Sequence, residues 1–482
     1  MTKAQRSPRA VLSVLLIGAF MALLDTTIVN VALPTIEQSL GANNATLEWV
    51  ISGYALTFGL TLIPAGRLGD RFGHSRIFAI GVALFTLASL ACGVATTPGF
   101  IVAARIAQGL AGGMYYPAIT ALIQLTYSGR DRGKAFAVLG MVIGASTALG
   151  PLIGGGIIEV FGTDHGWRYI FGVNVPIGIA AVVAAQRILP GPPATVRART
   201  RYARSALAMM DLPGLTLLTL GICGILVPLI EGQTAGWPWW TFAVLALGVV
   251  VLLAFRAWEL AVERKGGAPI VPPHLFRSKE FSAGVLLVGV YFAAFTSVFF
   301  VITLTWQQGF GASALAAGLV TIPFALGNIL GSSQSNRLHY RLGRASFTLA
   351  LCIVALGLAA VLVILAVQGG DTRGWELTAP LLIAGLGSGL FIAPSQAYIV
   401  ATVAPEDAGA ASGVLNTSQR VGAAVGIAAV GAAFFHRLSD LFGAHHPPAY
   451  TFPHAAVWGL AVSVGLAVIA VGLTRVLPRR AA

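Results

Sequence analysis

Asp25 stands inside a long apolar run, LLIGAFMALLDTTIVNVALPTI, and Arg105 inside another, ARIAQGLAGG. If both runs are membrane-crossing helices, the rise of 1.5 Å per residue places Asp25 roughly 13 Å and Arg105 roughly 8 Å below the same surface. An ionised carboxylate at such depth costs about 2.5–3.5 kcal/mol even on the gentler insertion scales, so Asp25 must face a cation or a water-filled cavity. Arg105 is the obvious cation if the two helices adjoin. A partly desolvated acid whose proton affinity changes with access and with a bound molecule is what coupling to proton movement requires. A static ion pair pinning two helices would use the same residues. On the Arg105 helix, Gly109, Gly112 and Tyr116 continue the same stripe, and the glycines would admit another backbone or a ligand.

A second chemistry lies in GRLGDRFGHSR, Gly66 to Arg76. Asp70, close to Arg67 and Arg71, can pair with a cation or accept from the N-terminus of a neighbouring helix, whereas a plain topology-fixing turn would need only the arginines. A third set would contact a transported molecule. Asn416, Gln419 and Arg420 are polar or charged within an apolar run and need a cavity or partners. Asn30, Tyr54, Tyr116, Tyr291 and Phe295 are further cavity candidates, because aromatic walls suit hydrophobic, flat or amphipathic molecules. Any single ring could equally face lipid or pack in the core. The ninth and tenth apolar segments hold no interior acid, which favours neutral, weakly basic or anionic amphiphiles over dications.

Other chemistries fall away. GRDRGKA, Gly129 to Ala135, lacks the spacing and the Ser or Thr of a phosphate loop. The eight histidines fall outside the apolar segments and offer no metal-ligand set. Cys92, Cys223 and Cys352 are isolated in apolar runs and read as packing residues. The expectation is a non-enzyme with no cofactor and no metal, in which protons are the coupling ion.

These residues must be positioned by helices in lipid. Of the 482 residues, 56% are hydrophobic and 10% charged, which excludes a soluble protein and predicts an all-α integral membrane fold. A net charge of +13 would suggest nucleic acid for a soluble chain, but here the cations sit in short connections and report topology. Spanning segments are expected near 11–33, 47–65, 77–96, 100–124, 135–158, 167–188, 212–231, 238–257, 281–306, 313–335, 346–367, 377–402, 412–435 and 454–475. The basic N-terminus before the first run imitates a secretory signal, but the run is long enough to be retained as a spanning helix. Nearly all Lys and Arg fall at the termini or after even-numbered segments, leaving Arg168, Arg373 and Arg437 on the other side and Arg105 and Arg420 within helices. The positive-inside rule therefore puts both termini in the cytoplasm of a multi-pass protein of the cytoplasmic (inner or plasma) membrane.

Asn336 to Arg344 weakly repeats Gly66 to His74, which predicts a duplicated pair of bundles with an extra hairpin between them. The expected organisation is an N-terminal six-helix bundle over 1–190, linkers and extra helices 7 and 8 over 191–280, and a C-terminal six-helix bundle over 281–482. The connections 189–211, with Arg197, Arg199, Arg201 and Arg204, and 258–280, with APIVPP, read as linkers.

The chain resembles the major facilitator superfamily in its fourteen-helix drug:proton antiporter branch of the EmrB/QacA type. Leu23 to Ile36 looks like the opening signature of that branch. Gly66, Leu68, Asp70, Arg71 and Gly73 match the inner-loop motif, with His74 and Ser75 where basic residues are usual. Ala104 to Gly113 resembles the helix-4 motif with its buried arginine. Gly144 to Gly155 resembles the helix-5 antiporter motif, and Gly166 to Gly178 and Ala408 to Gly426 look like further marks of the branch. The resemblance implies export of hydrophobic or amphipathic drugs or antibiotics driven by the proton-motive force, by alternating access. It also implies a cytoplasmic latch at Gly66, Asp70, Arg71 and Gly73, and an antiporter helix marked by Gly144, Gly150, Pro151, Gly154 and Gly155. Gly150-Pro151 should bend that helix. The expected partners are small substrates, protons and lipid, with no nucleic acid and no accessory protein specified. A proton-coupled symporter or facilitator would share the fold, as would a non-transporting sensor, which has no need of a buried acid-base pair.

Overall fold

The computed structural model describes residues 7–191, 211–267, 269–401 and 403–477. The connection carrying Arg197 to Arg204 lies outside the described residues. Among the described residues fourteen α-helices follow one another: α1 (Pro8–Leu40), α2 (Asn44–Phe72), α3 (His74–Gly93), α4 (Pro98–Thr126), α5 (Gly129–Gly172), α6 (Asn174–Ile188), α7 (Leu212–Thr234), α8 (Trp239–Arg264), α9 (Lys279–Leu304), α10 (Ala314–Leu342), α11 (Ala345–Gln368), α12 (Thr378–Ala401), α13 (Ala408–Gly443) and α14 (Pro448–Leu473). Thirteen stretches among the described residues are long and apolar enough to cross a membrane. The fourteenth is the 29-residue α4, whose Arg105, Gln108, tyrosines and glycines dilute its hydropathy. Within α5 the chain breaks at Gly162, φ 80°, a conformation glycine adopts without steric cost. The residues after it join α6 in the sixth crossing, Asp164–Ile188.

Helices outrun the apolar segments, because backbone hydrogen bonding continues where side chains turn polar. α1 runs past Pro34 to Leu40, α8 to Arg264 and α13 to Gly443. His339 and His436 consequently lie within α10 and α13 rather than between helices. Gly66 to Phe72 is not a turn but the end of α2, and the turn itself is the single residue Gly73, φ 94°.

Connections after even-numbered helices share one face. The Tyr127 hydroxyl, after α4, donates to Pro8 O at 2.6 Å, and Arg344, before α11, donates to Leu477 O at 2.7 Å. This is the basic face. On the opposite face Arg168 donates to Ala95 O at 2.6 Å, tying the α3–α4 connection to the start of the sixth crossing. The early and late helices meet along two seams, α5 against α10 and α2 against α13, while α7 packs on α8, α2 and α13.

Candidate functional site

Asp25 is fully buried in α1, and both of its carboxylate oxygens are occupied. Arg105 Nη1 in α4 donates to Oδ2 at 2.7 Å. Gln108 Nε2 and Asn174 Nδ2 donate to Oδ1 at 2.8 and 2.9 Å. Arg105 is anchored in turn: Nε donates to Val50 O at 2.9 Å, Nη1 also donates to Gln108 Oε1 at 2.7 Å, and Cζ lies 4.2 Å from the centre of the Tyr54 ring. Asn174, the first residue of α6, also donates to Ser89 Oγ at 3.0 Å, and Ser89 donates to Phe171 O at 2.9 Å. Donors from α4 and α6 thus converge on one carboxylate of α1, and Val50 and Tyr54 of α2 and Ser89 of α3 support them from behind. Gln108 and Asn174 escaped the sequence reading, although Gln108 is one turn from Arg105 and Asn174 lies within the Gly166–Gly178 stretch.

Glycines bring the helices close enough for this. A Cβ on Gly109 would strike the Tyr54 carbonyl and one on Gly113 the Phe58 carbonyl, while Gly112 admits the Phe58 ring. The stripe expected to admit a backbone or a ligand is occupied by α2.

At the basic face Asp70 does more than pair with arginines. Its Oδ1 accepts from Gly409 N at 2.8 Å and its Oδ2 from Ala410 N at 3.0 Å, the free amides at the start of α13, where the helix dipole also favours an anion. His74 Nε2 lies 3.1 Å from Oδ1, so the residue that departs from the usual basic pattern still holds this carboxylate. The Asp70 side chain is only 7% exposed between α2 and α13. Gly66 meets Gly409 backbone to backbone. Arg67 crosses the seam, and Arg71 sits in the last turn of α2. Arg67 donates to Pro269 O and to Asp407 Oδ1 at 2.9 and 3.4 Å.

The connection after α8, expected to be a linker, is a packed strap. Ile270, Val271 and Leu275 are buried. Val271 N donates to Glu259 Oε2 at 2.8 Å, and His274 bridges Asp407 and Glu263 at 2.8 and 3.4 Å. Its Pro-rich composition disguised backbone acceptors that arginine uses.

In α5, the glycines divide between two neighbours. Gly140 and Gly144 face Ser332 and Asn328 of α10, and Gly155 approaches Leu315 at 3.6 Å. Gly150 and Gly154 face Thr27 and Ile28 of α1, two and three residues beyond Asp25. The side chain of Pro151 lies outside the described residues, and the only non-helical backbone recorded in α5 is at Gly162.

The remaining candidates are scattered. Tyr54 belongs to the Asp25 cluster. Tyr116 is buried with its ring 5.6 Å from Phe58. Tyr291 donates to Ser388 Oγ at 2.6 Å and stacks on Phe295 at 5.5 Å, inside an aromatic core with Phe391 and Phe324. Asn416 is 2% exposed and Gln419 and Arg420 are half-buried on α13, with Arg420 Cζ 4.5 Å from the Phe58 ring. Asn30 is exposed on α1, and among the described residues no recorded hydrogen bond joins it to the others.

A many-helix membrane scaffold with a buried acid tied to three donors is the frame of a transporter. A profile of the Major Facilitator Superfamily matches residues 15–427. The chain is 35% identical over 434 residues to the probable actinorhodin transporter of Streptomyces coelicolor, covering 89% of this chain and 73% of that one. It is 32% identical over 428 residues to the tetracenomycin C resistance and export protein of Streptomyces glaucescens, covering 88% and 76%. The structure of the human organic anion transporter MFSD10 superposes with a TM-score of 0.69 at 15% identity, over 98% of this chain and 100% of that one. The chain belongs to the Major Facilitator Superfamily, with that family's fold, and is a membrane transporter, not an enzyme.

Proposed function

We propose that this protein exports small hydrophobic or amphipathic molecules, antibiotics among them, from the cytoplasm in exchange for protons. The observation that carries the reading is the Asp25 cluster, in a chain whose relatives include an antibiotic export protein. An ionised Asp25 accepts from Arg105, Gln108 and Asn174 at once. A protonated carboxyl carries a donor of its own and no longer has the charge that holds Arg105, so proton uptake weakens this set of bonds and loosens α1 from α4 and α6. Gly150 and Gly154 pass that movement on, because α5 lies between α1 and α10.

The positive-inside distribution puts the basic face, and with it both termini, in the cytoplasm. Asp70 on the N-terminus of α13, reinforced by Arg67 and Asp407, then acts as the cytoplasmic latch, with Gly73 as its turn and Arg71 as the cation at the α2 terminus. Alternating access requires this latch to break and re-form in each cycle. No cofactor enters the scheme.

An accumulation screen of chemically diverse antibiotics and dyes in a pump-deficient host, with and without a protonophore, tests this function. Lowered accumulation that the protonophore abolishes is expected. Unchanged accumulation of every compound, or lowering that survives the protonophore, sinks proton-driven export. A reagent-accessible cysteine at position 201 in intact cells would sink the orientation.

A further inference from the structure

Along the α2/α13 seam, close glycine contact gives way to unsatisfied polar groups. Gly66 meets Gly409 at the basic face, Gly413 lies 2.8 Å by its Cβ position from Ile63 Cα, and Arg420 then stands over Phe58. Between the last two contacts lies Asn416. It is 2% exposed, and among the described residues neither its Oδ1 nor its Nδ2 has a hydrogen-bond partner. Thr417 Oγ1 and Gln419 Nε2 are buried without partners as well. Asn416 and Arg420 are one helical turn apart and share a face. Arg420 lies within the span Pro405–Gly443, and among the described residues no carboxylate lies in salt-bridge range of it. Asp25 does not serve it, because Arg105, Gln108 and Asn174 already occupy that carboxylate.

We propose that Arg420 and Asn416 form a subsite selecting flat aromatic molecules that carry an anionic oxygen: a carboxylate, phenolate or enolate. This deepens the export reading and rests on it. The guanidinium takes the anionic oxygen, the amide donates to and accepts from groups beside it, and the rings of Phe58 and Tyr116, 5.6 Å apart, take the π face. A cation is repelled here, and a hydrocarbon leaves the amide unsatisfied. The subsite also has a route to the proton site. Phe58 lies 5.7 Å from Tyr54, whose face carries Arg105 at 4.2 Å.

The test is equilibrium binding to the full-length protein in lipid nanodiscs with three matched probes: naphthoate, naphthamide and a naphthylmethyl trimethylammonium salt. Naphthoate should bind roughly tenfold tighter than naphthamide, with the ammonium salt weakest. Arg420→Gln should erase the preference for naphthoate while leaving naphthamide near its original affinity. Arg420→Lys, the milder variant if the first fails to fold, should keep part of the preference. Asn416→Ala should weaken naphthoate and naphthamide together. The proposal is overturned if naphthoate does not bind, if the ammonium salt binds best, or if Arg420→Gln leaves the ranking intact. Binding is read without transport, so an intact ranking beside failed export in cells would sink the export reading alone.

Discussion

Two buried polar clusters lie either side of the Tyr54–Phe58 pair, and they are built on opposite terms. Around Asp25, both carboxylate oxygens, the guanidinium and both amides find partners within one closed network. On α13, among the described residues, Asn416 has none, and Arg420 stands against the face of a ring. Burial without partners costs about 1–3 kcal/mol per group, so a chain tolerates it where something other than stability is gained. The first cluster holds one charge state of one acid in place. The second keeps donors and acceptors available to a molecule that comes and goes.

The largest expected effect comes from removing titration at the first cluster. Asp25→Asn preserves size but replaces one acceptor oxygen with a donor, so the helices should still pack while coupling is lost. In proteoliposomes, a gradient of one pH unit is worth about 1.36 kcal/mol and sustains about tenfold accumulation for one-for-one exchange. The variant should equilibrate substrate without concentrating it. Uphill transport at the parent level would place the coupling acid elsewhere and reduce Asp25 to a partner of Arg105.

Leucine placed in each cluster in turn separates an amide with partners from one without. Gln108→Leu strips a donor from Asp25 and an acceptor from Arg105, and should lower unfolding stability by about 1–3 kcal/mol. If thermal unfolding in detergent shows no loss, the network is not holding the fold at this point.

How much of this was legible in sequence follows from the same physics. Asp25 and Arg105 could be paired from sequence because charges in hydrocarbon are rare enough to demand each other, and helical rise fixes their depths. Gln108 and Asn174 carry no charge, and neutral amides within apolar runs have too many packing roles to be singled out. The helix count and order were readable from apolar length. The helix ends were not, because α1, α2, α8 and α13 continue into polar sequence. Asp70 was readable as a carboxylate in want of a helix N-terminus, but its target lies more than 330 residues away on α13, a distance that only the packed fold closes. The strap around Ile270 and Val271 was missed because its key acceptor, Pro269 O, is backbone, which no residue type reveals.

Next in size is the latch. Asp70→Asn can still accept from one of the two α13 amides, but its own amide then confronts the other, and the full charge at the helix terminus is gone. A loss of about 1–2 kcal/mol from the latched state is expected, with slower turnover at normal expression. Greater reactivity of a cysteine in place of Ser412, fully buried on α13 and close to cysteine in size, toward a reagent on the basic face would report the opening. Undiminished export with no gain in reactivity would leave Asp70 a structural cap only.

The counterpart of Gln108→Leu is Asn416→Leu, and its sign should be opposite. Leucine of similar volume replaces two unpartnered polar atoms, so stability should hold or rise by up to about 1 kcal/mol while substrate binding falls. A destabilisation as large as that of Gln108→Leu would show that Asn416 is satisfied in the working protein and would dissolve the contrast between the clusters.

The smallest effect is expected at His274, which touches neither cluster. It joins the strap to Asp407 and Glu263 at 2.8 and 3.4 Å, but its side chain is 49% exposed. Exposed pairs are screened and usually contribute about 0–1 kcal/mol, so His274→Gln, which retains a donor for Asp407, should alter export rate by less than about threefold. Arg67→Gln makes the informative partner, because Arg67 reaches the same Asp407 and also Pro269 O from a more protected position. If the strap merely rests on the latch, the two variants combined should change export by the product of their separate effects. A combined loss well beyond that product would mean that Asp407 is shared between them, so that the helix pair α7 and α8 reports on the latch through a single carboxylate.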